Sequence, residues 1–93
     1  MSNTTLNNYL KERLKDPKFK KAWDESEAQY QITRELIKAR LDKHVSQRTL
    51  ARKANTTQAV ISRIENMSVS PSVRLLQKIA SALGKKLEIR FVQ

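Results

Sequence analysis

The chain has 93 residues, with 19 Lys and Arg against 9 Asp and Glu, a formal net charge of +10. That length suits one compact domain with a modest core, and the charge implies a polyanionic partner, nucleic acid ahead of an anionic membrane surface. With no cysteine, disulfides and cysteine-based zinc sites are excluded and a reducing compartment fits.

The first residues, MSNTTLNNYL, lack the charged start and apolar stretch of a signal peptide. No apolar run approaches the roughly 20 residues of a membrane span. A cytoplasmic protein with no membrane partner is expected. Residues 1–8 are polar and read as frayed. Leu10, Leu14 and Tyr9 suit a short helix that stops before Pro17, because the residue before a proline avoids helical backbone and Asp16 holds that place.

Residues 18–43 contain neither Gly nor Pro and form a long helical pattern. Two apolar stripes run through it: Tyr30, Thr33, Ile37 and Leu41 on one spacing, Ile32, Leu36 and Ala39 on another. The run is one helix, or two broken at Ser26, which can cap a new start.

Ser46 is a good cap for a helix over 47–54 that buries Leu50, Ala51 and Ala54. Asn55 stands where a left-handed turn residue is needed, a conformation Asn tolerates. Thr57 caps a second short helix ending near Glu65. Ser70 with Pro71 gives a third start, for a helix with the stripe Val73, Leu76, Ile79, Ala80 and Leu83. Gly84, the single glycine, ends it. In the tail, Leu87, Ile89 and Phe91 alternate with Glu88 and Arg90, a strand pattern. A lone strand leaves its backbone groups unpaired, and the rest of the chain is helical, so the tail is expected to pair with a second copy.

The charge is uneven. Residues 44–93 hold nine basic residues and only Glu65 and Glu88 as acids, so that half carries most of the excess. It also holds the short helix pair. At about 100° per residue, Gln58, Ala59, Ser62, Arg63 and Asn66 share one polar face of the second helix, with Val60, Ile61 and Ile64 opposite. Most polar faces are simply solvated. This one follows a tight turn and a capped basic helix.

Gln47, Leu50, Ala51, Thr57, Gln58, Ile61, Ser62, Ile64 and Glu65 stand where phage repressors and Cro proteins place Gln, Leu, Ala, Ser or Thr, Gln, Ile, Ser, an apolar residue and Glu. Residues 36–83 thus resemble the helix-turn-helix domain of that family. Asn55 replaces its usual turn glycine, and Met67 takes a second common glycine position. The resemblance implies an all-α, five-helix, lambda-repressor-like domain over 29–93, with a helical arm over 1–28 and a dimerising strand containing Leu87, Ile89 and Phe91. It implies a double-stranded DNA operator as partner. Gln58 would pair with adenine and Arg63 with guanine, the Ala59 methyl would touch a thymine methyl, and Thr57 and Ser62 would lie in the same interface. Gln47, Arg48, Asn66 and Arg74 would meet the phosphate backbone. Arg40 is expected to pair with Glu65 as an architectural contact that orients the second helix.

Tyr9, Phe19, Trp23 and Tyr30 gather in the first third of the chain, where the helix-turn-helix core does not require them. They either pack back on the domain or form a protein-binding surface, where aromatic anchors are favoured. The segment DPKFKKAWDESEAQYQI before such a domain, and the ending GKKLEIRF, resemble antitoxins of the HigA type. That resemblance implies an antitoxin that silences a HigB-type ribonuclease toxin and represses its own operon, with Phe19, Trp23 and Tyr30 as toxin contacts. The alternative is a phage-type or chromosomal repressor without a toxin. A structural interaction module without DNA affinity fits the charge less well.

Nothing suggests an enzyme or a cofactor. His44 is the sole histidine and sits at a helix end, where a solvated, cap-stabilising role is the default. There is no Gly-rich phosphate loop and no clustered set of metal ligands.

Overall fold

The computed structural model describes residues 2–93, and six helices run through them. These are α1 (Ser2–Arg13), α2 (Pro17–Glu25), α3 (Glu27–Asp42), α4 (Gln47–Lys53), α5 (Gln58–Glu65) and α6 (Val73–Ala82). Five of the starts are capped by a side chain. Asp16, Ser26, Ser46, Thr57 and Ser72 accept from the backbone N–H groups of Lys18, Gln29, Thr49, Val60 and Leu75, filling donors that a first helical turn otherwise leaves open. The break at Ser26 divides the long helical pattern in two, and Pro17 opens α2, where its missing N–H costs nothing.

The last four helices end alike. His44, Asn55, Met67 and Gly84 have φ of 55°, 57°, 59° and 68°. Each donates its N–H back into the last turn, and the next residue reaches one turn deeper: His44 to Leu41 and Val45 to Arg40, for example, or Met67 to Ile64 and Ser68 to Arg63. This is the Schellman pattern, which glycine serves best; here glycine serves it once.

Two apolar clusters meet at α3. Leu36 joins Leu50, Ala51, Ala54, Ile61, Ile64, Ile79 and Leu83 on one side, with Ile32 and Ala39 at its edge. On the other side, Ile37 joins Leu6, Leu10, Phe19 and Met67, with Tyr30 and Leu41 at the edge. The two stripes of α3 thus serve two different interiors. Thr33 lies between them, fully buried, and its hydroxyl donates to the Ile64 carbonyl at 2.9 Å. Residues 2–28 are therefore not a detached arm: α1 and α2 pack on α3, and the expected boundary at 28/29 falls in the first turn of α3.

Several expectations change. Residues 29–93 hold the four helices α3–α6 rather than five, and residues 2–8, read as frayed, belong to α1, with Leu6 fully buried. The last helix starts at Val73 under a Ser72 cap, not after Ser70. The Gln29 amide donates to the carbonyls of Met67 and Val69 at 3.2 and 2.7 Å and fixes the chain ahead of Pro71 in a non-helical course. Of the expected stripe only Val73 is exposed; Leu76, Ile79, Ala80 and Leu83 stay covered, and Leu75 and Ala82 join Ile79 and Leu83 against the core. The tail beyond Lys86, expected as a strand over Leu87, Ile89 and Phe91, carries no strand assignment in the single chain. Leu87 is half-buried, while Ile89, Phe91 and Val92 stand out in solvent. A strand exists only through bonds to a neighbouring strand, and the described residues offer it none.

Candidate nucleic-acid interface

Helices α4 and α5 pack directly on each other through Leu50, Ala51, Ala54, Ile61 and Ile64. That packing spends the apolar face of α5 and turns the opposite face outward. Gln58, Ala59, Arg63 and Asn66 are exposed there, with Ser62 half-buried among them. The Asn66 amide leans on the Ser62 hydroxyl at 3.5 Å. The Thr57 hydroxyl accepts from Val60 N–H, so it serves the helix first and any partner only with its own proton.

Behind this face lies a buried cluster centred on Glu65. Its side chain is fully buried, and that of Arg40 is 8% exposed. Arg40 Nε donates to Glu65 Oε2 at 2.6 Å and Nη2 to Oε1 at 2.9 Å, the two-pronged geometry that suits guanidinium and carboxylate. Arg40 Nη1 also donates to the Val45 carbonyl at 3.1 Å. Glu65 Oε1 takes two further donors, the Tyr9 hydroxyl at 2.9 Å and Gln47 Nε2 at 3.0 Å. Burial works against the Arg40 charge, but its hydrogen bonds to Glu65 and the charge of that carboxylate outweigh it and hold its pKa above the ordinary value. Among the described residues no buried side-chain polar atom lacks a hydrogen-bond partner. Glu65 closes α5 and Arg40 lies in the last turn of α3, so the cluster fixes the C-terminal end of one helix against the other.

Above the cluster is an open depression lined by Tyr9, Arg40, Ser46, Gln47, Arg48 and Gln58. It brings together Gln47, Arg48 and Gln58 of the expected contact residues. Arg74 is exposed at the start of α6, outside it. Tyr9 and the bond from Gln47 to Glu65 were not foreseen. Tyr9 belongs to a helix with no recognisable motif, and nothing in its spacing points 56 residues ahead to Glu65.

The field over this surface is set by what is missing from it. Between residues 44 and 87 the only carboxylate side chain is Glu65, and it is buried. Arg48, Arg52, Lys53, Arg63, Arg74 and Lys78 are all exposed on α4–α6. Their charges add without an opposing partner on those helices, which favours a polyanion.

The expected toxin contacts divide. Phe19 is 2% exposed in the second cluster, with the Arg13 guanidinium 4.9 Å from its ring centroid. A side chain so covered cannot reach a partner surface, which corrects its assignment as a contact. Trp23 and Tyr30 are half-buried, with centroids 4.1 Å apart in an edge-to-face pair.

Two short helices, the second turned outward over an unopposed basic surface, define a helix-turn-helix DNA-binding unit. A family model described as helix-turn-helix matches residues 36–89, more than half of the chain. The chain belongs to that family, with a domain of the phage-repressor and Cro type, and is a DNA-binding transcription regulator. No curated protein and no solved structure matches it significantly. Among the described residues no helix is long and apolar enough to cross a membrane.

Proposed function

We propose that the protein is a dimeric, sequence-specific repressor that acts as the antitoxin of a toxin–antitoxin pair. It binds a small ribonuclease toxin of the HigB type and represses its own operon, and its role is binding rather than catalysis. The observation that carries the repressor part is the outward face of α5, with Gln58, Ala59, Ser62 and Arg63 beside the basic surface of α4 and α6. Gln58 suits adenine and Arg63 suits guanine in a major groove. Support for a dimer comes from the tail, where Ile89, Phe91 and Val92 are 60%, 103% and 88% exposed. Pairing two tails around a twofold axis would cover them and hold two α5 helices about one DNA turn apart. The antitoxin part rests on the segment 16–32 and on the Trp23–Tyr30 pair it presents.

Two experiments test this. Duplexes selected from a random pool by the full chain should lose affinity for Arg63→Ala by about 1–3 kcal/mol, while binding to unrelated DNA changes little; a uniform loss would reassign Arg63 to the backbone. Co-expression with the product of the adjacent reading frame should yield a complex without ribonuclease activity. If the two do not associate, the antitoxin reading falls and the repressor reading stands. One observation favours that second reading: Phe19 serves the interior, as a structural arm requires.

A further inference from the structure

Tyr9 lies outside residues 36–89, yet it closes the cluster that sits behind the DNA-facing surface. Its hydroxyl has one proton, which it donates to Glu65 Oε1 at 2.9 Å. Its oxygen accepts from Arg13 Nη1 at 3.3 Å and from Arg40 Nη2 at 3.4 Å. A phenol has one donor and two lone pairs, so Tyr9 is fully committed inward and has no donor left for a phosphate. Gln47 is placed differently. Its Nε2 spends one proton on Glu65 Oε1, the same oxygen that Tyr9 holds. Its second amide proton and its carbonyl remain, and its side chain lines the open depression with Ser46, Arg48 and Gln58.

We infer that Tyr9 is a positioning residue for DNA binding: it holds Glu65 Oε1 so that the Gln47 amide keeps one orientation, with an N–H directed at a phosphate of the duplex. The inference rests on the DNA-binding reading of the α4–α5 surface. It makes α1 part of the DNA-binding head rather than an accessory to it. A side chain held in its bound orientation before contact loses less freedom on binding, and that is what Tyr9 supplies to Gln47.

The test uses the full chain and a fluorescent duplex that the wild type selects from a random-sequence pool. Tyr9→Phe keeps the ring and removes only the hydroxyl. It should bind that duplex about tenfold more weakly, the weight of one hydrogen bond to a charged group, with its melting transition still cooperative. Gln47→Ala should weaken binding as well, and the double variant should lose less than the product of the two separate losses, because both act on one contact. In the wild type, the Gln47 side-chain amide protons should resonate away from the free-glutamine position, and one should move when the duplex is added. This measurement stands even if Tyr9→Phe folds poorly. Tyr9→Phe binding as the wild type does, multiplicative losses, or a Gln47 amide that resonates as in a free peptide would each overturn the inference and leave DNA binding intact. A wild type that selects no duplex would overturn both.

Discussion

His44, Asn55 and Met67 hold backbone angles that cost most side chains about 1–2 kcal/mol relative to glycine. They differ in what the side chain returns. His44 is exposed, whereas Met67 is 5% exposed in the cluster with Leu6 and Phe19. His44→Gly should therefore raise the unfolding free energy by about 1 kcal/mol in a urea titration. Met67→Gly should lower it by about 2 kcal/mol, because the lost core packing exceeds the relief of strain. If both variants gained stability, the buried Met67 side chain would not be contributing to the core. Tyr9 offers a pH test at the same scale. Burial first, then the charge of Glu65 and the hydrogen bond to it, raise its pKa above the ordinary value of 10.0. The folded state thus holds the phenol proton more tightly than the unfolded chain does. The stability it lends is complete below pH 10 and drains away as pH climbs through the raised pKa. Wild type should be more stable than Tyr9→Phe at pH 8, and the gap should narrow toward pH 11 in parallel denaturation curves. A gap that stays constant would detach the hydroxyl from this linkage.

Helix α3 shows what an element can and cannot declare in sequence. Its two stripes, Ile32–Leu36–Ala39 and Tyr30–Ile37–Leu41, are legible because helical spacing repeats along the chain, and each lines a separate cluster. The caps Ser26, Ser46 and Thr57 are legible because capping is local. The start of α6 was not: its cap is Ser72, and the loop before it is held at Met67 and Val69 by the Gln29 amide, 38 and 40 residues away along the chain. The side chains of the outward face of α5 follow from periodicity, but the bond from Tyr9 to Glu65 joins positions 56 apart and leaves no local trace. The same applies to Phe19, whose place in the interior depends on how α1 and α2 fold back on α3. Leu6, fully buried between α1 and α3, measures the weight of that packing. Leu6→Ala should cost about 2–5 kcal/mol in urea denaturation, a large share of a small domain's stability. A loss under about 0.5 kcal/mol, the range of a surface substitution, would mean that α1 is not docked in solution.

At the scale of the whole molecule, the exposed apolar tail calls for a cover. Ile89, Phe91 and Val92 project from a chain whose interior is otherwise closed by helices. On the proposed reading, a second copy covers them, and the pair binds two half-sites at once. The second half-site is then met at a high effective concentration that a single domain lacks. Removing residues 87–93 should give a monomer in sedimentation and weaken operator binding by about a hundredfold or more. The six helices should persist, because among the tail residues only Leu87 is more than marginally covered. A truncated chain that still sediments as a dimer would move the interface elsewhere on the surface.

The grip on Glu65 bears on how such a protein can change its target. Helix α5 is fastened from behind, by Arg40, Tyr9 and Gln47 on Glu65 and by the seating of Ile61 and Ile64. Gln58, Ala59 and Arg63 on its front carry almost none of the fold. On the proposed reading, in which that front meets the bases, address and scaffold are therefore separable within eight residues. A lineage can drift to a new operator, and an engineer can transplant a foreign reading face, by exchanging outward side chains while every residue that keeps the helix in place stays as it is.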